Sequence, residues 1–257
     1  MTRIILHGCN GHMGKMISST ALEESGISIA AGVDIDTTVN FGYPVFSSMK
    51  EAGGAVSADV VVDFSVAKAV DEVIEFAAET GIPSVICTTG LSEAQLKRIE
   101  EVSGTTAILR SANMALGVNL LLKLAADAAK ILSAKGYDIE IVEKHHRRKL
   151  DAPSGTALAL ADSVNAACGG KYTYCYGRAD RHAPRDAAEI GISAVRGGTI
   201  PGDHDVIFAG EDEVITLSHT AYSRKVFAKG ALSAAAFLAG KPAGYYTMMD
   251  VIGDELA

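Results

Sequence analysis

Side chains that could move protons and hold anions crowd into one stretch, Glu143-Lys144-His145-His146-Arg147-Arg148-Lys149-Leu150-Asp151-Ala152-Pro153-Ser154-Gly155-Thr156-Ala157. The adjacent imidazoles of His145 and His146 exchange protons near neutral pH. Arg147, Arg148 and Lys149 against Asp151 leave the loop at about +2, in a chain of formal charge −8. A cationic loop in an acidic protein suits a small anion better than a polyanion. Ser154-Gly155-Thr156 then opens an Ala/Leu-rich helical pattern, where free backbone N–H groups also favour negative charge. Together these groups suit an anionic, protonatable substrate whose carboxylates the cations would hold. A basic run ahead of a helix is also what a solvated surface looks like. The balance tips toward chemistry because an apolar, strand-like segment, residues 137–142, leads into the run, and catalytic groups often sit on loops leaving strand ends.

A second constellation lies at the start of the chain. Gly8-Cys9-Asn10-Gly11-His12-Met13-Gly14 follows one strand pattern and opens the first helical one. Glycines there let the backbone approach a pyrophosphate, and the helix start supplies N–H donors. The spacing is G-x-x-G-x-x-G instead of the commoner G-x-G-x-x-G, so a plain Gly-rich turn stays open as a reading. Asp34 ends the next strand pattern, where an acidic side chain would accept the adenosine ribose hydroxyls. Lys15 follows Gly14 with no Ser or Thr after it, which excludes a Walker loop. Cys87-Thr88-Thr89-Gly90 and Ser111-Ala112-Asn113-Met114 end later strand patterns and could line the nicotinamide half, or be ordinary connecting turns.

These loops need elements to hold them. Strand patterns cover residues 4–7, 28–33, 60–64, 84–87 and 107–109, and helix patterns 13–24, 66–80 and 92–103. Ser92 with Gln95 three residues on makes a capping box. Apolar strands alternating with helices predict a parallel sheet covered on both faces. A long helix over 118–132 leads onward. After residue 137 the pattern becomes strand-rich, at 137–142, 172–176, 190–195, 205–209 and 214–221, with one strong helix at 156–167 and a turn at 199–204. That is an α+β arrangement. An Ala-rich helix at 226–238 is placed to return to the first domain. The expected architecture is α/β: a Rossmann-type parallel-sheet domain, 1–115 with 225–257, plus an α+β substrate and oligomerisation domain with a mixed sheet, 116–224. The second sheet, with one helix on one face, needs cover on the other, which symmetric self-association supplies.

Composition narrows the classes further. The chain has 257 residues, 48% of them hydrophobic, enough for a sizeable core. The acidic balance argues against nucleic acid and anionic membrane as partners, and no apolar run reaches the roughly 20 residues needed to span a bilayer. The N-terminus enters a strand pattern at once, so no signal peptide is expected. Cys9, Cys87, Cys168 and Cys175 are scattered, without zinc spacing, and read as reduced thiols in a cytoplasmic protein with no metal site.

With both constellations in view, the chain resembles the 4-hydroxy-tetrahydrodipicolinate reductase family, also called dihydrodipicolinate reductases, of the bacterial diaminopimelate and lysine pathway. The resemblance covers essentially the whole chain. Its most specific part is Glu143 to Ala157, which follows the family's E-x-H-H-x-x-K-x-D-A-P-S-G-T-A signature. Gly8 to Gly14, Cys87 to Gly90, Ser111 to Asn119, Arg196-Gly197-Gly198 and Gly202-Asp203-His204 support it. The resemblance implies reduction of a cyclic imine dicarboxylate, with loss of water, to tetrahydrodipicolinate. It implies His145 as proton donor and Lys149 as second donor and carboxylate contact, with His146, Gly155 and Thr156 on the substrate. It implies Gly8, Cys9, Asn10, Gly11, His12 and Met13 as the dinucleotide loop and Asp34 as the ribose contact. Cys87, Thr88 and Thr89 with Ser111, Ala112, Asn113 and Met114 become the nicotinamide-side loops. It further implies a homotetramer whose hinge closure brings substrate to cofactor. His12 and Ile35 stand where the family often has Arg, and Cys87 where Gly is frequent. The first two departures predict NADH as preferred cofactor with NADPH tolerated, and the third alters packing.

An aspartate-semialdehyde or homoserine dehydrogenase is the nearest rival; the first needs a nucleophilic Cys in a substrate loop, and Cys9 in the dinucleotide loop and Cys168 and Cys175 after a helix do not fit. A catalytically inactive NAD-binding regulator would have no need of the His145 and Lys149 donor pair.

Overall fold

The structure, a computed structural model, describes residues 1–39, 41–179 and 181–255. In chain order it runs β1 (Thr2–His7), α1 (His12–Ala21), β2 (Ile27–Val33), β3 (Val45–Phe46), α2 (Met49–Ala55), β4 (Val60–Asp63), α3 (Val70–Thr80), β5 (Ser84–Ile86), α4 (Glu93–Ser103) and β6 (Ala107–Arg110). Then follow α5 (Leu116–Leu132), β7 (Asp138–His145), α6 (Gly155–Ala167), β8 (Thr173–Cys175), β9 (Glu189–Arg196), β10 (Gly202–Ala209) and β11 (Val214–Ala221). The chain closes with α7 (Lys225–Leu238), β12 (Gly244–Tyr246) and α8 (Met248–Glu255). It divides into two compact units: Met1–Leu116 with the chain from Arg224 onward, and Gly117–Ser223.

The first unit is a Rossmann-type sheet in the order β12-β6-β5-β4-β1-β2-β3, with every pairing parallel. The strands are apolar on both faces because helices cover both. Ile4, Leu6, Val60, Val62, Val85 and Leu109 pack on one side with Ile17 of α1, Ala231 and Ala235 of α7 and Val251 of α8. On the other side Ile5 and Val61 meet Met49 and Ala52 of α2 and Val73 and Phe76 of α3. Farther along that side, Ile86 and Ile108 meet α3 and α4 through Ile74 and Ile99. The strand order reverses at β1, so the carboxyl ends of β1 and β4 diverge at a switch point. Helix α7 seats against the loop after β6 only because residue 230 is Gly: a Cβ there would lie 1.7 Å from the Met114 carbonyl oxygen.

The second unit is a mixed sheet, β11-β10-β7-β9-β8, with β7, β9 and β8 parallel and β10 antiparallel to both β7 and β11. Ile139, Ile141, Ile190, Ile192, Val206 and Phe208 point to one face, under Leu121 and Ala125 of α5 and Leu160 and Val164 of α6. Two helices therefore cover this face where the sequence pattern assigned one. On the opposite face Glu140 pairs with Arg178 at 2.7 Å, and Arg178 and Arg181 share Glu189 at 2.8 and 2.6 Å. Gly191 leaves room for that network, since a Cβ would lie 2.0 Å from Glu140 Oε2.

Several boundaries differ from the sequence reading. Helix α1 stops at Ala21 instead of residue 24, because the buried face runs out there and Leu22 is 88% exposed. The 66–80 pattern splits into a 3₁₀ turn, Ala67–Ala69, and α3. Strand β7 continues to His145 and not 142, and 199–204 is not all turn, since β10 begins at Gly202. In both cases pairing continues, with Lys144 opposite Asp203 and His145 opposite Arg196. The pattern missed β3, α2, β12 and α8. Strands of two and three residues leave no periodicity to read. Helix α2 carries Gly53-Gly54, each costing about 1 kcal/mol of helix propensity. Contact overrides that cost, since Gly53 lies directly against the Phe76 ring.

Candidate active site

The sheet of the second unit ends in a polar band on its helix-covered face. Alternation along β7 sends Ile139, Ile141, Glu143 and His145 inward, and all four are buried. Cross-strand register places Ala194 and His204 beside Glu143, His219 beside His204, and Arg196 beside His145. Glu143 is fully buried, and four donors meet its carboxylate. Arg196 grips both oxygens at 2.7 and 2.8 Å, the Ser154 N–H donates at 3.0 Å, and His145 Nδ1 lies 2.5 Å from Oε2. Burial pushes the Glu143 carboxyl up, but Arg196, His145 and the Ser154 amide outweigh it and hold it below the ordinary value. Burial pushes the His145 imidazolium down, Glu143 opposes it, and Lys149 and Arg196 add to the lowering.

The ring of His204 stands edge-on to His145, centroids 5.1 Å apart. Its Nε2 meets Ser154 Oγ at 3.1 Å. Ser154 Oγ also accepts the Ala157 N–H and so caps α6, which ties His204 to the helix start. Burial, then His145, pushes His204 down to about 4. Gly202 makes space for the His145 ring, since a Cβ would lie 3.0 Å from Nε2. The loop after β7 is tied down by Gly197 N–H to His145 O, Arg147 N–H to Gly198 O and Lys149 N–H to His146 O. Lys149 Nζ lies 2.9 Å from Asp151 Oδ1. His146 Nδ1 and His204 Nδ1 are buried without a hydrogen-bond partner. Gly155 and Thr156 are the first residues of α6, with Gly155 exposed. Imidazole, ammonium and helix start thus converge within this one unit, an arrangement able to hold carboxylates and deliver a proton.

The first unit carries the second constellation at the carboxyl ends of its strands. Gly8 has φ +80°, and a Cβ on it would lie 2.6 Å from Phe64 O. A Cβ on Gly14 would lie 2.2 Å from Gly8 O, so the turn admits only glycine there. Gly11 begins α1 without a side-chain cap, leaving N–H groups of the first turn for a ligand. Asp34, directly after β2, accepts the Asn10 N–H at 2.9 Å and the Ile35 N–H at 2.8 Å, and Asn10 Nδ2 donates to Asp36 O at 2.6 Å. His12 and Ile35 are exposed. Cys9 is buried, with its thiol pushed up to about 11 by burial and by Asp34, and burial, with Asp63, also raises the Cys87 thiol. Thr88 Oγ1 is buried without a partner. Thr89 follows it in the same loop after β5. Ser111 Oγ donates to Asn113 O at 2.7 Å, holding the turn through Ala112 toward the buried Met114. A cradle that only backbone can enter, an uncapped helix start and a carboxylate one strand over fit a pyrophosphate and its ribose. Among the described residues no group of three or more His, Cys, Asp or Glu could hold a metal ion.

Sequence reasoning assigned no side-chain role to Glu143, Arg196, Ser154 and His204. Extending the 137–142 alternation by three residues would have put Glu143 and His145 on one face. It also missed His7 and Asp63, a buried pair at 2.8 Å on the ends of β1 and β4. No local signal joins those two.

The profile described as the N-terminus of dihydrodipicolinate reductase matches residues 2–114, and the C-terminus profile matches 117–252. A 4-hydroxy-tetrahydrodipicolinate reductase of Caldanaerobacter subterraneus is 53% identical over 98% of both chains. One from Clostridium tetani is 49% identical over 96% of both. Among solved structures, a dipicolinate-bound dihydrodipicolinate reductase from Paenisporosarcina sp. TG-14 shares the fold at TM-score 0.81, with 23% identity over 96% of this chain and 97% of that one. An amine dehydrogenase from Mycobacterium smegmatis shares it at 0.64, with 12% identity over 96% and 95%. The chain belongs to the dihydrodipicolinate reductase family and is an oxidoreductase of that family.

Proposed function

We propose that the protein reduces 4-hydroxy-tetrahydrodipicolinate to tetrahydrodipicolinate with loss of water, in lysine biosynthesis through diaminopimelate. The observation that carries this reading is the convergence of His145, Lys149 and the α6 start on the same end of the mixed sheet. A bound nicotinamide supplies the hydride. Lys149 and the Gly155 and Thr156 amides hold substrate carboxylates, Lys149 exchanging Asp151 for the ligand. His146 adds a further contact. His145 gives its proton to the site where charge builds as the ring is reduced, and Lys149 is the second donor. A dicarboxylate beside His145 raises its proton affinity, opposing the burial that lowers it.

On the first unit, Gly8, Cys9, Asn10, Gly11, His12 and Met13 would hold the pyrophosphate and Asp34 the ribose, with Cys87, Thr88, Thr89 and Ser111, Ala112, Asn113, Met114 on the nicotinamide side. NADH is the preferred dinucleotide and NADPH is tolerated. The first unit is the dinucleotide domain and the second the substrate and assembly domain of a cytoplasmic homotetramer. Among the described residues no helix is long and apolar enough to cross a membrane. The test is spectrophotometric: the cyclic imine made by the preceding synthase should drive NADH oxidation, and pyridine-2,6-dicarboxylate should compete with it. Turnover with aspartate semialdehyde or homoserine instead, or dinucleotide binding with no turnover, would sink the proposal.

A further inference from the structure

A carboxylate sealed from water normally takes its partners to lower the cost of its own charge. An ionised carboxylate has about four acceptor sites, and Glu143 fills all of them. Arg196 alone supplies two parallel hydrogen bonds, and the Ser154 amide a third, before His145 is counted. The fourth bond, 2.5 Å from Oε2 to His145 Nδ1, is the one pointed at the reacting group. Glu143 and His145 stand two residues apart on one strand face, so backbone pleat alone aims one at the other. The edge-on His204 ring lies beside the His145 ring, and His204 is anchored through Ser154 to the cap of α6.

We infer that Glu143 is a positioning residue: clamped by Arg196 and the Ser154 amide, its carboxylate holds the His145 Nδ1–H and leaves Nε2 as the nitrogen that transfers a proton to substrate. The inference rests on the reading of His145 as proton donor. Which ring nitrogen works is set by the hydrogen bond the other one makes. The charged groups facing His145 are Glu143 on its own strand, Arg196 on β9 and Lys149, paired with Asp151, in the following loop, with His204 on β10 and His219 beyond it on β11. Of these, Glu143 is the group in direct hydrogen-bond contact that favours the imidazolium, so removing its charge makes the proton easier to lose.

The experiment has two arms. Nitrogen-15 NMR of histidine-labelled wild-type protein reads the neutral tautomer of His145, assigned by the signal lost in His145→Gln. The expected result is a protonated Nδ1 and a bare Nε2; a bare Nδ1 overturns the inference without need of any variant. In the second arm, Glu143→Gln should lower kcat by about 100-fold, within the range general acids contribute. The KM for NADH should stay unchanged, and the pH limb assigned to His145 should move to lower pH. Glu143→Asp, which keeps the charge, should recover part of the loss. Unchanged kcat and an unmoved pH limb in Glu143→Gln overturn the inference. Full turnover in His145→Gln would overturn the proton-donor reading instead, while the wild-type tautomer still decides the hydrogen bond.

Discussion

Dinucleotide choice is the property in which one surface residue should matter most. NADPH carries a 2′-phosphate with close to two negative charges where NADH has a hydroxyl. Asp34 sits at the end of β2 with one carboxylate oxygen on the Asn10 N–H and the other on the Ile35 N–H. Each oxygen keeps a second lone pair for a ribose hydroxyl. A hydrogen bond to a charged group contributes about 1.5–3 kcal/mol, or about 10- to 150-fold in affinity. Replacing the hydroxyl by phosphate loses that bond and adds repulsion. Charges of −1 and −2 at roughly 5 Å repel by about 1.7 kcal/mol in water, less at high salt. No cation offsets this at position 35, where Ile35 is 98% exposed. Lys15 instead lies near Asp36, whose carboxyl is held below the ordinary value by Thr38 and, more weakly, by Lys15. NADH should therefore bind at least tenfold tighter than NADPH, by a margin that narrows as salt rises. Ile35→Arg displaces no packing and should reverse the order, and Asp34→Ala should cost NADH affinity while sparing NADPH. Isothermal titration of each protein with each dinucleotide decides the matter. Tighter NADPH binding by the wild type, or an indifferent Ile35→Arg, would refute the charge reasoning.

Three further outcomes follow from the geometry. Gly14→Ala forces a Cβ within 2.2 Å of Gly8 O and 2.5 Å of Cys9 O, both backbone atoms that would have to shift. The displacement costs about 1–3 kcal/mol, so NADH affinity should fall roughly 5- to 150-fold in a fluorescence titration while dicarboxylate binding survives. Buried His204 titrates near 4 in the fold against 6.5 when exposed. The unfolded chain therefore binds more protons between these values, and stability should fall as pH drops from 6.5 toward 4, by up to about 3 kcal/mol. His204→Asn should flatten that part of a urea-midpoint profile, and an unaltered slope would show that His204 is not its source. Light scattering should give four times the chain mass, and a stable monomer at micromolar concentration would contradict the assembly proposed for the mixed sheet.

The two loops were legible because each keeps its chemistry in consecutive residues. Gly8 to Gly14 shows its glycines side by side, and His145 to Thr156 shows imidazoles, cations and helix start in one run. The Ser92–Gln95 capping box was equally local, and the structure contains it. The support beneath His145 was not legible, because strand register assembles it from residues 53 and 50 positions apart: Glu143 with Arg196, and Ser154 with His204. A polar residue on a strand's inner face reads as the end of the strand, so β7 was cut at 142 and Glu143 and His145 fell outside. The same logic hid the His7–Asp63 pair, 56 residues apart. In the first sheet the strands were readable where burial on both faces made them uniformly apolar. The short edge strands β3 and β12 carry no such signature, because register with β2 and β6 specifies them more than composition does.

Label transfer tests the central claim most directly. The protein would be incubated with NADH deuterated at the transferring position and with freshly made 4-hydroxy-tetrahydrodipicolinate, and the product examined by mass spectrometry. The expected result is tetrahydrodipicolinate carrying one deuterium in its ring, formed by the wild type and strongly diminished in His145→Ala and Lys149→Ala, both of which still bind NADH. Unlabelled product, or labelled product formed equally well by the His145→Ala and Lys149→Ala variants, would contradict the assignment of this site to that reduction.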